Sequence, residues 1–272
     1  MYAFFRKWLL DAPAESEKPL ALDPARLRVV RPAGKNQAEI HEVMRSAFVA
    51  QTSALLARND RRSREILRSG LMLSLAVDVP KRVGRGTGRI LLVVAESEAA
   101  AAPVASGLAG VGLVEILVLP PVITRRDALW NDFFSTYNRT PVGDRVQAIV
   151  DRLAARASRG RVDLIGVGGA GACTLLARAI APDLAPGATA VDLERFPVDD
   201  DAAYVDRLYA PGLRRAGDLR AAALLGAPGP LCLHGVGVAA PWEPVVQGAA
   251  VGALNLQMAS LSPAEIAAWL AG

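Results

Sequence analysis

Histidine and cysteine are scarce in this chain: two of each occur in 272 residues, and the four never fall into His-x-x-x-His, Glu-x-x-His or Cys-x-x-Cys spacing. The usual ligand sets of a zinc centre are therefore missing. Cys173 and Cys232 lie in separate apolar segments, where buried, unpaired thiols are expected. No apolar run reaches the roughly 20 residues that a membrane-spanning helix needs. Aromatics are only 5% of the chain, and although the net charge is +4, its arginines are scattered among acids. Neither a basic stripe nor a stacking platform for nucleic acid results. The densest basic stretch, Arg58 to Arg64, also holds Asp60 and follows a helical pattern, as a solvated face does. The opening "MYAFFRKWLLDAPAESE" sets aromatics before charges, the reverse of a secretory signal. Read as it stands, the chain is cytoplasmic; as a piece of a longer secreted or periplasmic protein it would look the same.

What is abundant is apolar surface, with 52% hydrophobic residues and a mean hydropathy of +0.26. This suffices for one large α/β body. Three regions are expected: a helix at Tyr2 to Leu10 with a Pro- and Glu-containing linker (1–36), a helical cover (37–70) and the α/β domain proper (71–272). In the cover, Ile40, Val43, Met44, Phe48, Ile66 and Leu67 recur at helical spacing. From Leu71 the period changes. "LMLSLAVDVP" and "RILLVVAES" read as strands either side of "KRVGRGTG"; a helix at 98–109 leads to the strand "LVEILVLPP". A helix at 143–157, the strand 162–167, a helix, the strands "GATAVDLER" and "GPLCLHGV", and a small-residue segment at 245–258 follow. The final helix opens with Ser262 as N-cap, Pro263 at its first position and Glu265 completing a capping box. Alternating strands and helices, with strands as near-continuous apolar runs, predict a mostly parallel sheet with helices on both faces, a three-layer sandwich.

The stretch "DLIGVGGAGACTLLARAIA" (163–181) runs from strand through glycines into helix and admits two readings. In the first, Gly166, Gly168 and Gly171 fit G-x-G-x-x-G, with Asp192 about 20 residues on; backbone amides would hold the diphosphate of NAD(P) or FAD and the carboxylate a ribose hydroxyl. That fingerprint normally opens its domain, whereas three strands are expected ahead of this one. In the second, the turn is a nucleophile elbow, G-x-S-x-G, whose third position here holds Gly168. Glycine has no atom with which to attack a carbonyl.

"WNDFFSTYNRTPVGDRVQAIVDRL", "VDLIGVGGAGACTLLARAIAP" and "YAPGLRRAGDLRAAALLGAPGPLCLHG" together resemble the acetyl-xylan-esterase-like family of α/β-hydrolases, related to dienelactone hydrolases, over about 70–270. The resemblance implies an eight-stranded type of sheet, whole or trimmed, with the elbow after its fifth strand, and a serine esterase using Ser, Asp and His in that order. Each member of the triad is missing. Gly168 fills the serine's slot, no carboxylate follows "PLCLHG" before Glu243, and no histidine follows the last strand. His41 lies far upstream in a helical pattern; His234, inside a strand, reads as a hydrogen-bonded core histidine. Cys173, five residues past Gly168, falls more than a turn below the crest, where apolar surroundings keep a thiol protonated. Asp199, Asp200 and Asp201 form an acidic run that reads as solvated.

These features together give a degenerate hydrolase domain with no catalytic, cofactor or metal residues, serving as an accessory or interaction module. The alternatives are an active ester hydrolase with unorthodox groups and a dinucleotide-binding oxidoreductase. "MYAFFRKWLL" resembles the closing helix of a domain of the same family, and reads equally as an amphipathic helix docked on its own domain; on the first reading the partner is another hydrolase domain of one polypeptide, with a second copy of the chain as the other candidate. A carbohydrate is the expected ligand, with no role for nucleic acid or membrane. Trp130, Phe133, Phe134 and Tyr137 read as a lid over the sheet, or as a sugar-stacking surface, with Asn138 and Arg139 tying their loop to the core.

Overall fold

The computed structural model describes residues 37–81, 86–120, 138–185, 187–250 and 252–271, the side chains of 37, 38 and 41 excepted. The expected helix at Tyr2 to Leu10, the strand-flanking turn around 82–85 and the aromatic group Trp130, Phe133, Phe134 and Tyr137 lie outside these residues. By its contacts the chain forms two units, 1–44 and 45–272, and the six strands among the described residues belong to the second.

The strands are Gly88–Ala95 (β1), Leu113–Val118 (β2), Gly160–Gly166 (β3), Thr189–Asp192 (β4), Leu231–His234 (β5) and Leu254–Leu256 (β6). They pair in the order β2-β1-β3-β4-β5-β6, and every pairing is parallel. The period-2 geometry of a strand divides even a continuous apolar run between two cores. Ile90, Leu92, Val94, Val162, Leu164, Val191, Leu231 and Leu233 enter the larger one, while Leu91, Val93, Ala95, Ile165, Ala190 and Cys232 enter the smaller. The helices Arg61–Leu75 (α2), Pro141–Ala157 (α4), Gly171–Ile180 (α5) and Asp218–Gly226 (α7) contribute their buried residues to the first core. Glu98–Gly107 (α3) and Pro263–Ala271 (α9) cover the other face. The α/β three-layer sandwich expected from the sequence is thus present.

The stretch "LMLSLAVDVP" is not a strand. Helix α2 runs through it to Leu75, following Gln37–Arg58 (α1). Alternation of Leu71, Leu73 and Leu75 resembles a strand, but Leu67, Leu71 and Leu75 also share one helix face and are buried, whereas Leu73 is 84% exposed. Asp60 starts the helix by accepting from Ser63 N at 2.6 Å, and Ala76 ends it in the left-handed region. Consequently two described strands, not three, precede the glycine turn. A strand absent from the sequence reading, β6, lies inside the small-residue segment; three residues with Asn255 at the centre carry little periodic signal. Helix α9 starts as expected: Ser262 N and Oγ donate to Glu265 Oε2, both at 2.7 Å.

Candidate functional site

The chain leaves β1 for β2 on one side of the sheet and resumes with β3 on the other, so a crevice opens between the carboxyl ends of β1 and β3. Parallel α/β sheets bind ligands at such switch points. Here the crevice measures about 280 Å³ and is lined by Glu96 after β1, Gly168 and Gly169 after β3, Asp192 and Glu194 at the end of β4, and Arg145 and Arg207 from helices.

Strand β3 enters the turn through Val167, whose N–H donates to Val94 O at 2.9 Å. A single 3-10 turn, Gly168–Ala170, then leads into α5. Gly168 has φ +58, the left-handed region that strains any other residue. The elbow reading of the sequence sets its nucleophile at this position, where the backbone is sharply bent and has no side chain to present. The nearest atom to a Cβ built there would be Glu194 Oε1 at 3.2 Å, so the slot opens onto a carboxylate.

The neighbouring glycines are explained by packing. A Cβ on Gly166 would come within 2.7 Å of Thr174 Cβ, and one on Gly171 would overlap the Asp192 carbonyl oxygen. Close approach of α5 to β3 and β4 requires both. At Gly169 a Cβ would meet the Glu96 carboxylate at 2.6 Å. That carboxylate is held by Arg145 Nη1 at 2.8 Å, and Arg145 also donates through Nε to Pro120 O. A negative group therefore already stands at the glycine turn, where a dinucleotide would bring its diphosphate. Asp192 Oδ1, the expected ribose acceptor, instead takes hydrogen bonds from Glu194 N at 2.9 Å and Ser260 Oγ at 3.1 Å.

His234 lies beside Asp192 in register across β4 and β5, with Nδ1 3.9 Å from Asp192 Oδ1. It is buried, as expected of a core histidine. Its Nδ1 accepts from Leu261 N at 3.2 Å, which leaves the neutral ring's proton on Nε2, itself buried with no partner among the described residues. Desolvation holds this imidazole below its usual pKa, opposed by the negative charge of Asp192. A triad needs the imidazole between hydroxyl and carboxylate. Here Asp192 stands between Ser260 and His234, and the ring nitrogen nearer to it carries no proton to donate. The group is a hydrogen-bonded corner without a proton relay.

The other candidates follow the same pattern. Helix α1 carries His41, whose side chain lies outside those described. Cys173 and Cys232 are buried and free, and burial pushes their thiols up to about 11 and about 12. The acidic run is engaged: Asp199 accepts from Arg220 at 2.8 Å, Asp200 caps helix Asp201–Arg207 (α6), and Asp201 pairs with Arg214 at 2.9 Å. Within "YAPGLRRAGDLR", Asp218 is 2% exposed and takes Arg214 at 2.9 Å and Arg220 at 2.7 Å. Of the basic stretch, Arg64 donates to Leu224 O at 2.7 Å. Arg139 holds Ala76 O at 2.7 Å and lies 3.7 Å from Asp144, and Asn138 is also engaged. Among the described residues no cluster of His, Cys, Asp and Glu is arranged for a metal, and no helix is long and apolar enough to cross a membrane.

Glu96, Arg145, Glu194 and Arg207 were not singled out from the sequence. The available signal is positional: Glu96 follows "LLVVA" and Glu194 follows "AVDL", each a charge just past the carboxyl end of a strand. Comparison of the chain with protein-family models, curated proteins and solved structures gave no match in any of the three.

Proposed function

We propose that this chain is a degenerate α/β-hydrolase domain, a non-catalytic module that holds a hydroxyl-rich ligand, a carbohydrate, in the crevice over Gly168. The observation that carries this reading is Gly168 itself, a residue at φ +58 on the bend between β3 and α5 with no reactive atom. The expected elbow follows the fifth of eight strands. Such a sheet without its two leading strands would have six, with the elbow after the third; β3, the third of the described strands, precedes the Gly168 bend, which supports this reading.

Covalent ester cleavage needs a nucleophile and a base aligned with it. Among the described residues no serine or cysteine lines the crevice, and the imidazole of His234 has its Nδ1 taken by Leu261 N. What the crevice offers is polar charge with an acidic excess: Glu96 with Arg145 at 2.8 Å and Glu194 with Arg207 at 3.0 Å, together with the carboxylates of Asp192 and Asp206. Such a lining presents acceptors and donors side by side to neutral hydroxyls and disfavours an anion. An intact hydrolase domain elsewhere in the same polypeptide would then supply the chemistry, while a second copy of this chain could add only binding surface.

Purified protein should give no turnover of p-nitrophenyl acetate above a heat-killed control and no labelling by a fluorophosphonate. Titration calorimetry with xylobiose should show saturable binding, lost in Glu194→Ala. Saturable hydrolysis or a labelled serine would refute the non-catalytic reading, and binding unaffected by Glu194→Ala would displace the ligand from this crevice.

A further inference from the structure

Beside the Gly168 crevice, and sharing Phe196 with it, lies a second and larger concavity of about 930 Å³ at the carboxyl ends of β4, β5 and β6. We infer that this groove is a separate binding site for a small monoanion, a carboxylate on an extended apolar body, with Arg195 as its anchor.

Its walls are apolar. Phe196, Val236 and Trp242 are buried beneath it, while Val238 and Met258 are exposed on its rim at 65% and 38%. Exposed aliphatic side chains around a concave, aromatic-floored surface are the features of a small-molecule site. The groove is also built in advance of any ligand. Beyond the strands the loops stay joined, by Arg195 N to Gly235 O at 2.6 Å, Val236 N to Gln257 O at 3.2 Å and Gly237 N to Met258 O at 3.1 Å. Phe196 is fixed edge-on against Tyr204, with ring centroids 4.9 Å apart. A preformed site loses little conformational entropy on binding.

The charge of the site selects the ligand. Two acids line it, and both are engaged: Asp199 with Arg220, and Asp200 with the first turn of α6. Arg195 also lines it, and its side chain has no hydrogen bond or ion pair among the described residues. Its placement is specified by the backbone. Glu194 and Arg195 are consecutive non-glycine residues at φ +47 and +53, a conformation that surrounding structure must enforce. Gly237 has φ +79, and a Cβ there would meet Arg195 Cβ at 3.2 Å and Cγ at 3.3 Å, so the arginine stem lies directly over this glycine. A guanidinium so fixed at the edge of an apolar groove suits a carboxylate.

The test is titration calorimetry with decanoate below its micellar concentration, beside decan-1-ol and decyltrimethylammonium. Decanoate should bind at one saturable site, with the alcohol weaker and the ammonium ion absent. Arg195→Gln should weaken decanoate by about tenfold or more, Arg195→Lys by less, and Val238→Asp should abolish binding. Should Arg195→Gln fail to fold, salt takes its place, and decanoate affinity for the unaltered protein must fall as ionic strength rises. Absence of saturable decanoate binding, equal affinity for the alcohol or ammonium analogue, equal affinity in a folded Arg195→Gln, or indifference to salt would each overturn the assignment. None of these arms uses the Gly168 crevice, so their failure would leave the non-catalytic reading where it stands.

Discussion

Glu194 stands over Gly168, its Oε1 3.2 Å from the point that a Cβ on the glycine would occupy. A Cβ there is a tight contact that Glu194, a flexible side chain, can relieve by moving a few tenths of an ångström; its carboxylate is paired with Arg207, and no imidazole is among the described residues that line the crevice. Gly168→Ser should fold, at a cost of about 1–2 kcal/mol for a non-glycine residue in the left-handed region. It should not hydrolyse p-nitrophenyl acetate, because a hydroxyl without a base to take its proton stays unreactive. Urea unfolding and a colorimetric assay decide both points, and esterase activity arising from this one substitution would mean that a base has been overlooked.

Gly171 behaves differently. Its missing Cβ is what lets α5 approach the Asp192 carbonyl, so Gly171→Ala should destabilise by about 1–3 kcal/mol or more through overpacking. Gly110→Ala is the control: φ is +98, but nothing lies within 4 Å of the added carbon. Gly171 has a helical φ of -59 and no left-handed strain of its own, so a loss for Gly171→Ala no larger than that for Gly110→Ala in parallel urea titrations would refute the helix-to-strand contact as the reason for glycine at 171.

Burial lowers the His234 pKa below its ordinary 6.5, so between the folded value and 6.5 the unfolded chain binds more protons than the folded one. Stability from this group is complete above about pH 6.5 and declines as the pH falls below it, with a limiting slope of about 1.4 kcal/mol per pH unit. His234→Asn, which keeps an acceptor for Leu261 N, removes the titration. Unfolding free energies measured from pH 7.5 to 5 should fall more steeply for the unaltered protein than for the variant; parallel curves would show that the imidazole is not held neutral.

At the opposite end of the sheet, Asp163 is fully buried and accepts from Arg89 at 2.6 Å, Arg161 at 3.1 Å and Ala188 N at 2.7 Å. Asp163→Ala leaves a buried N–H and two guanidiniums without their acceptor, and should cost about 3 kcal/mol. Xylobiose binding should survive wherever the variant is folded, since Asp163 is remote from the carboxyl ends of the strands. A loss of binding in the folded variant would tie this cluster to the crevice.

Much of the sandwich could be read from local pattern. β1, β3 and the helices after them carry long apolar runs, and Ser262 and Glu265 mark the start of α9 unambiguously. The errors have physical causes. Leu71 and Leu75 fit a strand and a helix equally well until the exposure of Leu73 separates the two, and β6 is too short for any periodicity to show. At the site, the absence of a nucleophile at Gly168 was legible because a turn between strand and helix has a fixed frame. The pairing of Glu96 with Arg145 was not, since the two lie 49 residues apart and meet only when β1 and α4 are both in place.

Sequence alone determined the layering of this protein and the glycine at its strand-to-helix bend, because the first depends on local periodicity and the second on residue identity at a single position. Tertiary structure decided what surrounds that bend. Which carboxylate faces Gly168, which nitrogen of His234 is occupied, and where Arg195 is held all depend on loops from different strands converging at one edge of the sheet, a long-range geometry that short-range pattern does not encode.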